Sequence, residues 1–255
     1  MGPVEQFAAV GGSVGAVSSL GPVFLLEGFP AQIAAPDSLV VTATPAIVGE
    51  GQARQLAGAL LLDDGTTVAI QATAIQWQVL GGPLTAINGN GVAQAAVVYQ
   101  DTASTAGGSA AGVDGNAQLT IINVDPDNFG AYAGDGLDDL WQVTFFGINN
   151  PDAGPGKDPD GDKQDNTFEF RGGTVPDDPT SFFKHWIVAA PAGEFWLRFE
   201  PWFADRVYTF EETFNLSSFQ LVPGATIDNA GAIGTAKDPA AGPAPRFYKI
   251  GISKP

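Results

Sequence analysis

The sequence contains no cysteine, one histidine and one methionine in 255 residues. Without cysteine, the chain can form neither a disulfide nor a thiolate metal site. The histidine, His185, lies between Lys184 and Trp186 in an alternating stretch, which favours a structural role over catalysis. Glutamate pairs suited to glycoside hydrolysis arise by chance in any acidic β protein. We therefore predict that the protein is not an enzyme and has no catalytic residues.

Basic residues and long apolar runs are also scarce. Eleven Lys and Arg stand against 28 Asp and Glu, a formal net charge of −17, and Arg54 is the only basic residue before Lys157. Nucleic-acid binding requires clusters of Lys and Arg, and anionic membrane surfaces attract such clusters, so both partners are excluded. No stretch approaches the roughly 20 apolar residues of a membrane helix. The first 22 residues lack the pattern of a signal peptide.

Glycine and proline are abundant, at 33 and 19 residues, and separate short alternating runs. In residues 75–79, IQWQV, the apolar and polar side chains alternate with the period of a β-strand. Asp63-Asp64-Gly65 and residues 88–91, NGNG, are turn signals between such runs. We predict a mainly β fold, with two β-sandwich domains of the Ig-like type joined by a loop segment that carries two short helices.

The first predicted sandwich, residues 38–124, carries a family resemblance. The order LVVTATPAIVGEGQARQLAGALLLDDGTT, IQWQV, GVAQAAVV and NAQLTIINV resembles a bacterial Ig-like domain of the group 2 type. That family combines a glycine-rich opening, an "RQL"-like strand and a core tryptophan. The resemblance implies display at a cell surface, as a spacer or an adhesive module. Residues 1–37 either complete this sandwich or insert into a neighbouring subunit and build a filament.

An acidic stretch, KDPDGDKQDNTFEF at residues 157–170, holds five acidic side chains. A twelve-residue calcium loop supplies oxygens from positions 1, 3, 5, 7, 9 and 12. Starting at Asp158, every one of those positions carries a suitable residue. The predicted calcium ligands are Asp158, Asp160, Asp162, Gln164 through its backbone carbonyl, Asn166 and Glu169. We call residues 158–169 the acidic loop; the alternative interpretation is a solvated loop without an ion.

Two features of this region depart from the calcium pattern. Lys163 occupies the sixth position of the acidic loop, where the turn requires a positive φ, and weakened affinity is expected. Residues 131–142, AYAGDGLDDLWQ, look like a second loop, which we call the half-loop. Ala131 and Ala133 replace its first two ligands, so an independent second ion is not expected. Asp135 and Asp139 remain, and either could join the coordination of the first ion.

Residues 125–255 together resemble a C-terminal assembly of large exported bacterial proteins. In that assembly a thrombospondin type 3-like calcium segment, here residues 125–180, precedes a small β-sandwich, here residues 181–255. The motifs are the spaced D-G-D and N-x-x-E of the acidic loop, the half-loop and the closing RFYKI. The resemblance implies bound Ca²⁺ and an extracellular or cell-surface location, with any signal peptide absent from this numbering.

We therefore predict a calcium-stabilised structural or adhesive protein outside the cell, which associates with itself or with a cell-surface or matrix component. Assembly into filaments or a surface layer is a specific version of this prediction. The alternative function is carbohydrate binding, because aromatic residues crowd the last domain. The rings concerned are Trp186, Trp196, Trp202 and Phe203.

Overall fold

The computed structural model describes the backbone of residues 17–20, 23–26, 32–242 and 244–255, and side chains from Ala34 onward. The chain divides into two compact units, Met1–Asp125 and Pro126–Pro255. The acidic segment, predicted as a linker over residues 125–180, therefore groups with the strands that follow it. None of the described helices has the length and apolar character needed to cross a membrane.

The N-terminal strands form a small antiparallel sheet of their own. Strands β1 (Val17–Leu20), β2 (Val23–Leu26) and β3 (Gln32–Ala34) pair in the order β1-β2-β3. Much of the segment 1–37, including residues 1–16, lies outside the described residues. Both interpretations of that segment, completion of the first sandwich or donation to a neighbour, therefore stay predictions.

The rest of the first unit is a pair of sheets. One has the order β4-β6-β10-β9, with β7 also paired to β6, and the other has the order β5-β12-β11-β8. Their pairings are antiparallel except for the parallel pair of β5 with β12. The strands are β4 (Pro36–Ala43), β5 (Ile47–Gly49), β6 (Ala53–Leu62), β7 (Thr67–Ile70), β8 (Gln76–Gly81), β9 (Leu84–Ile87), β10 (Val92–Ala95), β11 (Thr102–Ala110) and β12 (Val113–Ile122).

Apolar side chains from both sheets of the first unit meet between them, as in a sandwich. Leu56 and Leu60 of β6 are 1% exposed, and Leu119 of β12 is 1% exposed. The buried apolar side chains form two clusters, and Trp77 packs against both. Its indole N–H donates to the Ala72 carbonyl at 2.9 Å. The alternation in β6 explains this arrangement, because every second side chain points to the core.

Gly115 of β12 lies close to the backbone of β4 in the other sheet of this unit. A Cβ atom at Gly115 would lie 1.8 Å from the Leu39 carbonyl oxygen in β4. Gly115→Ala is therefore expected to destabilise the unit by about 3 kcal/mol, because backbone atoms must move apart. Gly81→Ala is the control, since a Cβ there meets nothing within 4 Å. Chemical denaturation of both variants measures the difference; equal stabilities would contradict the prediction.

The second unit begins with two helices and continues as strands. Helix α1 spans Asp139–Phe146 and helix α2 spans Asn166–Gly172, with a short 3₁₀ turn at Pro151–Ala153 between them. The sheets have the orders β13-β14-β18-β17 and β16-β15-β19, with antiparallel pairings. The strands are β13 (Lys184–Val188), β14 (Phe195–Glu200), β15 (Val207–Thr213), β16 (Gln220–Leu221), β17 (Thr226–Ala230), β18 (Ile233–Asp238) and β19 (Phe247–Ser253).

Aromatic rings fill the core of the second unit. Phe199 is fully buried, and its ring centroid lies 5.6 Å from that of Phe183 and 5.0 Å from that of Tyr208. Trp202 stacks on Tyr208 with centroids 4.3 Å apart. The mainly β, sandwich-type fold is thus confirmed, and the two short helices lie in the second unit.

Candidate metal centre

Local sequence determines where helix α2 begins and ends. The Asp165 side chain accepts a hydrogen bond from the Phe168 N–H at 2.8 Å, which caps the N-terminus of the helix. Gly173 ends the helix in the left-handed conformation, with φ of 76°. The helix begins within the acidic loop, so the predicted ligands Asn166 and Glu169 lie on its first turn.

The first three predicted ligands of the acidic loop converge. One carboxylate oxygen each from Asp158, Asp160 and Asp162 lies within 4.8 Å of the others. Backbone N–H groups fold the loop around them: Asp158 accepts from Gly161 at 2.9 Å and from Lys163 at 3.1 Å. Among the described residues, this is the only such cluster of acidic or metal-ligating side chains.

Lys163 adopts the backbone conformation that its position in the loop requires. Its φ is 80°, in the left-handed region that disfavours residues with a Cβ atom. Gly161 has the same φ of 80° at no steric cost. The acidic loop therefore takes the expected tight path, and Lys163 bears a strain of roughly 1 kcal/mol.

Asn166 and Glu169 are the predicted ligands on the first turn of helix α2. Both residues are 0% exposed. The Asn166 Oδ1 and the Glu169 Oε2 have no hydrogen-bond partner in the described part of the chain, and neither do the Asp160 Oδ2 and the Asp162 Oδ2. Buried oxygens without partners are costly, and native proteins rarely leave them so unless a water or an ion satisfies them. Four such oxygens belong to residues of the acidic loop.

The pKa values of these carboxyl groups also favour a bound cation. Burial raises the pKa of Glu169 to about 8, with further contributions from the charges of Asp160 and Asp162. Burial and the neighbouring carboxylates also raise the pKa of Asp160. Without a cation, these like charges and this desolvation disfavour ionisation. A bound divalent ion reverses the effect, because it favours the carboxylate forms.

The predicted ligands therefore lie as follows. Asp158, Asp160 and Asp162 cluster, while Asn166 and Glu169 are buried with unpaired oxygens. The side chain of Gln164 exchanges hydrogen bonds with the Phe183 backbone, at 2.9 and 3.1 Å, which leaves its backbone carbonyl for the role predicted at that position. Carboxylate and amide oxygens are the ligands that Ca²⁺ prefers. The residues present fit a calcium ion.

The half-loop is organised differently. Asp127, which lies outside it, accepts hydrogen bonds from the N–H groups of Gly134, Asp135 and Gly136 at 2.8, 3.0 and 2.9 Å. Asp139 accepts from two further backbone N–H groups through one oxygen. Burial raises the pKa of Asp139, and the charges of Asp127 and Asp135 raise it further.

Two buried side-chain amides, those of Gln142 and Asn166, connect the two loops. Gln142 donates to the Asp135 Oδ2 at 2.8 Å and to the Ala153 carbonyl at 2.9 Å. Asn166 donates to the carbonyls of Asp152 and Gly154, both at 2.8 Å. Three successive carbonyls are therefore held by one amide from each helix. This clamp fixes the position of Asn166 and leaves its Oδ1 directed away from these carbonyls.

Sequence reasoning missed two contributors to this region. Thr174 donates its hydroxyl to the Glu169 Oε1 at 3.3 Å and so orients that carboxyl group. Asp127 precedes the half-loop, and its role could not be found by counting positions in a twelve-residue motif. The spacing of residues within a motif does not reveal contacts made by residues outside it.

Comparisons with known proteins give little. No protein-family model matches the chain. No curated protein matches it in sequence. Among solved structures, the chain is similar to "surface layer protein SbsC, domains 4-9", at 9% identity and a TM-score of 0.23. The match covers 91% of this chain and 34% of that one, so this chain spans about a third of its length. A likeness this small carries no functional argument.

Proposed function

We propose that the protein binds one calcium ion in the acidic loop and uses it to stabilise a non-catalytic, mainly β structural protein. One observation carries the proposal: three carboxylates converge, and their charges act on the fully buried Glu169, whose Oε2 has no partner among the described residues. The ligands would be Asp158, Asp160, Asp162, Asn166 and Glu169, with the Gln164 carbonyl. The ion supplies the positive charge that these oxygens lack.

The expected affinity suits a location at the cell surface or outside the cell. Lys163 gives the acidic loop a strained backbone and a positive charge, and both are expected to weaken calcium binding. Extracellular calcium modules work with dissociation constants of about 10⁻⁴ to 10⁻³ M. We therefore place the protein outside the cell, in a structural or adhesive role. The resemblance of residues 125–255 to segments of exported proteins supports this location.

Filament assembly, the specific version of this function, and carbohydrate binding, the alternative function, rest on different parts of the chain. Assembly into filaments rests on residues 1–37, many of which lie outside the described residues, and it stays a prediction. Carbohydrate binding rests on exposed aromatic faces. Trp202 packs on Tyr208, and the Lys237 ammonium covers Trp196 at 4.7 Å from the ring centroid. These contacts favour the structural role over a platform for sugar stacking.

A calcium titration tests the proposal. We expect one ion per chain and, at pH 7, release of about one proton, because Glu169 with a pKa of about 8 is mostly protonated without the ion. Calorimetry in buffers of different ionisation enthalpy measures the proton. Calcium affinity should rise with pH up to about 8. Without calcium, pH has the opposite effect on folding stability. In chelator, the free energy of unfolding should fall from pH 5 to pH 8, because Glu169 ionises less readily in the folded state than in the unfolded state.

Glu169→Gln is the matched control for that titration. This variant keeps the size of the side chain and one ligand oxygen but has no proton to release. We expect weaker calcium binding with little proton release. Absence of calcium binding by the unmodified protein at millimolar concentration would refute the proposal.

A further inference from the structure

The half-loop and the acidic loop present equivalent pairs of buried groups. Asp139 and Gln142 hold the ninth and twelfth positions of the half-loop, as Asn166 and Glu169 do in the acidic loop. All four residues are 0% exposed. Each has one side-chain oxygen without a hydrogen-bond partner in the described part of the chain. The two loops differ at the last position, where one has an amide and the other a carboxylate.

The side-chain amide of Gln142 binds oxygens of the kind that a cation in the half-loop would bind. Its Nε2 lies 2.8 Å from a carboxylate oxygen of Asp135 and 2.9 Å from the carbonyl oxygen of Ala153. These are the two kinds of oxygen that calcium ligates in proteins. The amide brings two N–H donors to them and carries no net charge. A carboxylate at position 142 would instead face Asp135 with a like charge.

Asp127 supplies the other function that the half-loop lacks. In the acidic loop, the first ligand, Asp158, also accepts N–H groups from the fourth and sixth positions. The half-loop has Ala131 at its first position, and Asp127 accepts the N–H groups of its fourth and sixth residues, Gly134 and Gly136. The backbone of the half-loop is thereby folded by a carboxylate from outside the motif.

We infer that Gln142 takes the place of a second cation, so the half-loop is a latent metal site closed by a side-chain amide. The inference rests on the proposed function only for the number of ions in the unmodified protein, which is one. Gln142 is a positioning residue: its amide draws Asp135 and the 3₁₀ turn at Ala153 together. Replacing the amide by a carboxylate opens the site to calcium.

Two variants at this position, Gln142→Glu and Gln142→Met, test the inference. We expect Gln142→Glu to lower the thermal midpoint in chelator, to recover it in millimolar calcium, and to bind one calcium ion more than the unmodified protein. Gln142→Met loses the donors without gaining a ligand. It should therefore lower the midpoint equally in calcium and in chelator, with no additional ion.

A third variant, Asp135→Asn, keeps the test informative if Gln142→Glu fails to fold. It removes a potential ligand from the half-loop, so it should leave the number of bound ions unchanged. Loss of an ion in Asp135→Asn would overturn the inference, and so would a Gln142→Glu variant that folds but gains no ion. If the unmodified protein binds no calcium while Gln142→Glu binds one, the proposed function fails and the inference stands.

Discussion

A calcium chelator is expected to lower the thermal midpoint of this protein by about 5 to 10 °C relative to calcium at a hundredfold excess over its dissociation constant. An ion that binds only the folded state stabilises it by about 2.7 kcal/mol at a hundredfold excess over the dissociation constant. For chains of this size, each kcal/mol moves the midpoint by about 2 to 4 °C. The physical source is the cluster of buried, unpaired oxygens on Asp160, Asp162 and Glu169. Differential scanning calorimetry measures the shift.

The double variant Asp160→Ala, Glu169→Ala should abolish this response to calcium. It also relieves the repulsion and desolvation of the two carboxyl groups, so its midpoint in chelator should not fall far below that of the unmodified protein in chelator. Asp114→Ala with Asp177→Ala is the control, because it removes two carboxyl groups whose residues are exposed. Identical melting curves with calcium and with chelator would rule out a stabilising ion. Magnesium should substitute poorly, since it keeps its waters.

Arg246→Met is expected to destabilise the second unit by about 3 to 5 kcal/mol. The Arg246 guanidinium lies 2.9 Å from the Glu212 Oε2 and 3.0 Å from the Asp238 Oδ2. The side chains of these two acids are only 5% and 2% exposed. Removing one partner of a buried ion pair leaves an uncompensated buried charge, which accounts for the magnitude. Arg246 links β15 to the end of β18, so the loss affects both sheets of the sandwich.

Tyr248 belongs to the same hydrogen-bonded network as Arg246, Glu212 and Asp238. Its hydroxyl donates to the Asp238 Oδ2 at 2.8 Å. Burial raises the pKa of Tyr248 to about 12, and Asp238 adds to the shift. The tyrosine therefore remains a hydrogen-bond donor through the pH range in which the protein would be studied.

Urea denaturation compares Arg246→Met with Lys184→Met. Lys184 pairs with Glu200 at 3.8 Å, and both side chains are more than one-third exposed, so its loss should cost less than about 1 kcal/mol. A deficit no larger than that of Lys184→Met would show that water reaches the network.

The sequence by itself determined the local elements. Period-two alternation predicted the strands around Trp77, because half-buried strands require alternating side chains. After Ser181 it predicted four aromatic strands, in FFKHWIVAA, EFWLRFEPWF, DRVYTFEETF and RFYKIGI. Asp138 and Asp165 preceded the two helices, and both cap them. The strands β16 to β18 were missed, since residues such as those of IGTAKD are small and polar, with little strand preference of their own.

Spacing alone also determined which residues of the acidic loop can meet, because a twelve-residue loop and the first turn of a helix bring its oxygens together within one stretch of chain. Tertiary structure decided which of those oxygens are buried. It also decided which side chains bind the backbone and the carboxylate of the half-loop. Burial of Glu169 and Gln142 depends on packing between the helices and the turn at Ala153. Asp127 reaches the half-loop from outside the motif, and contacts between such separate positions are set by the fold.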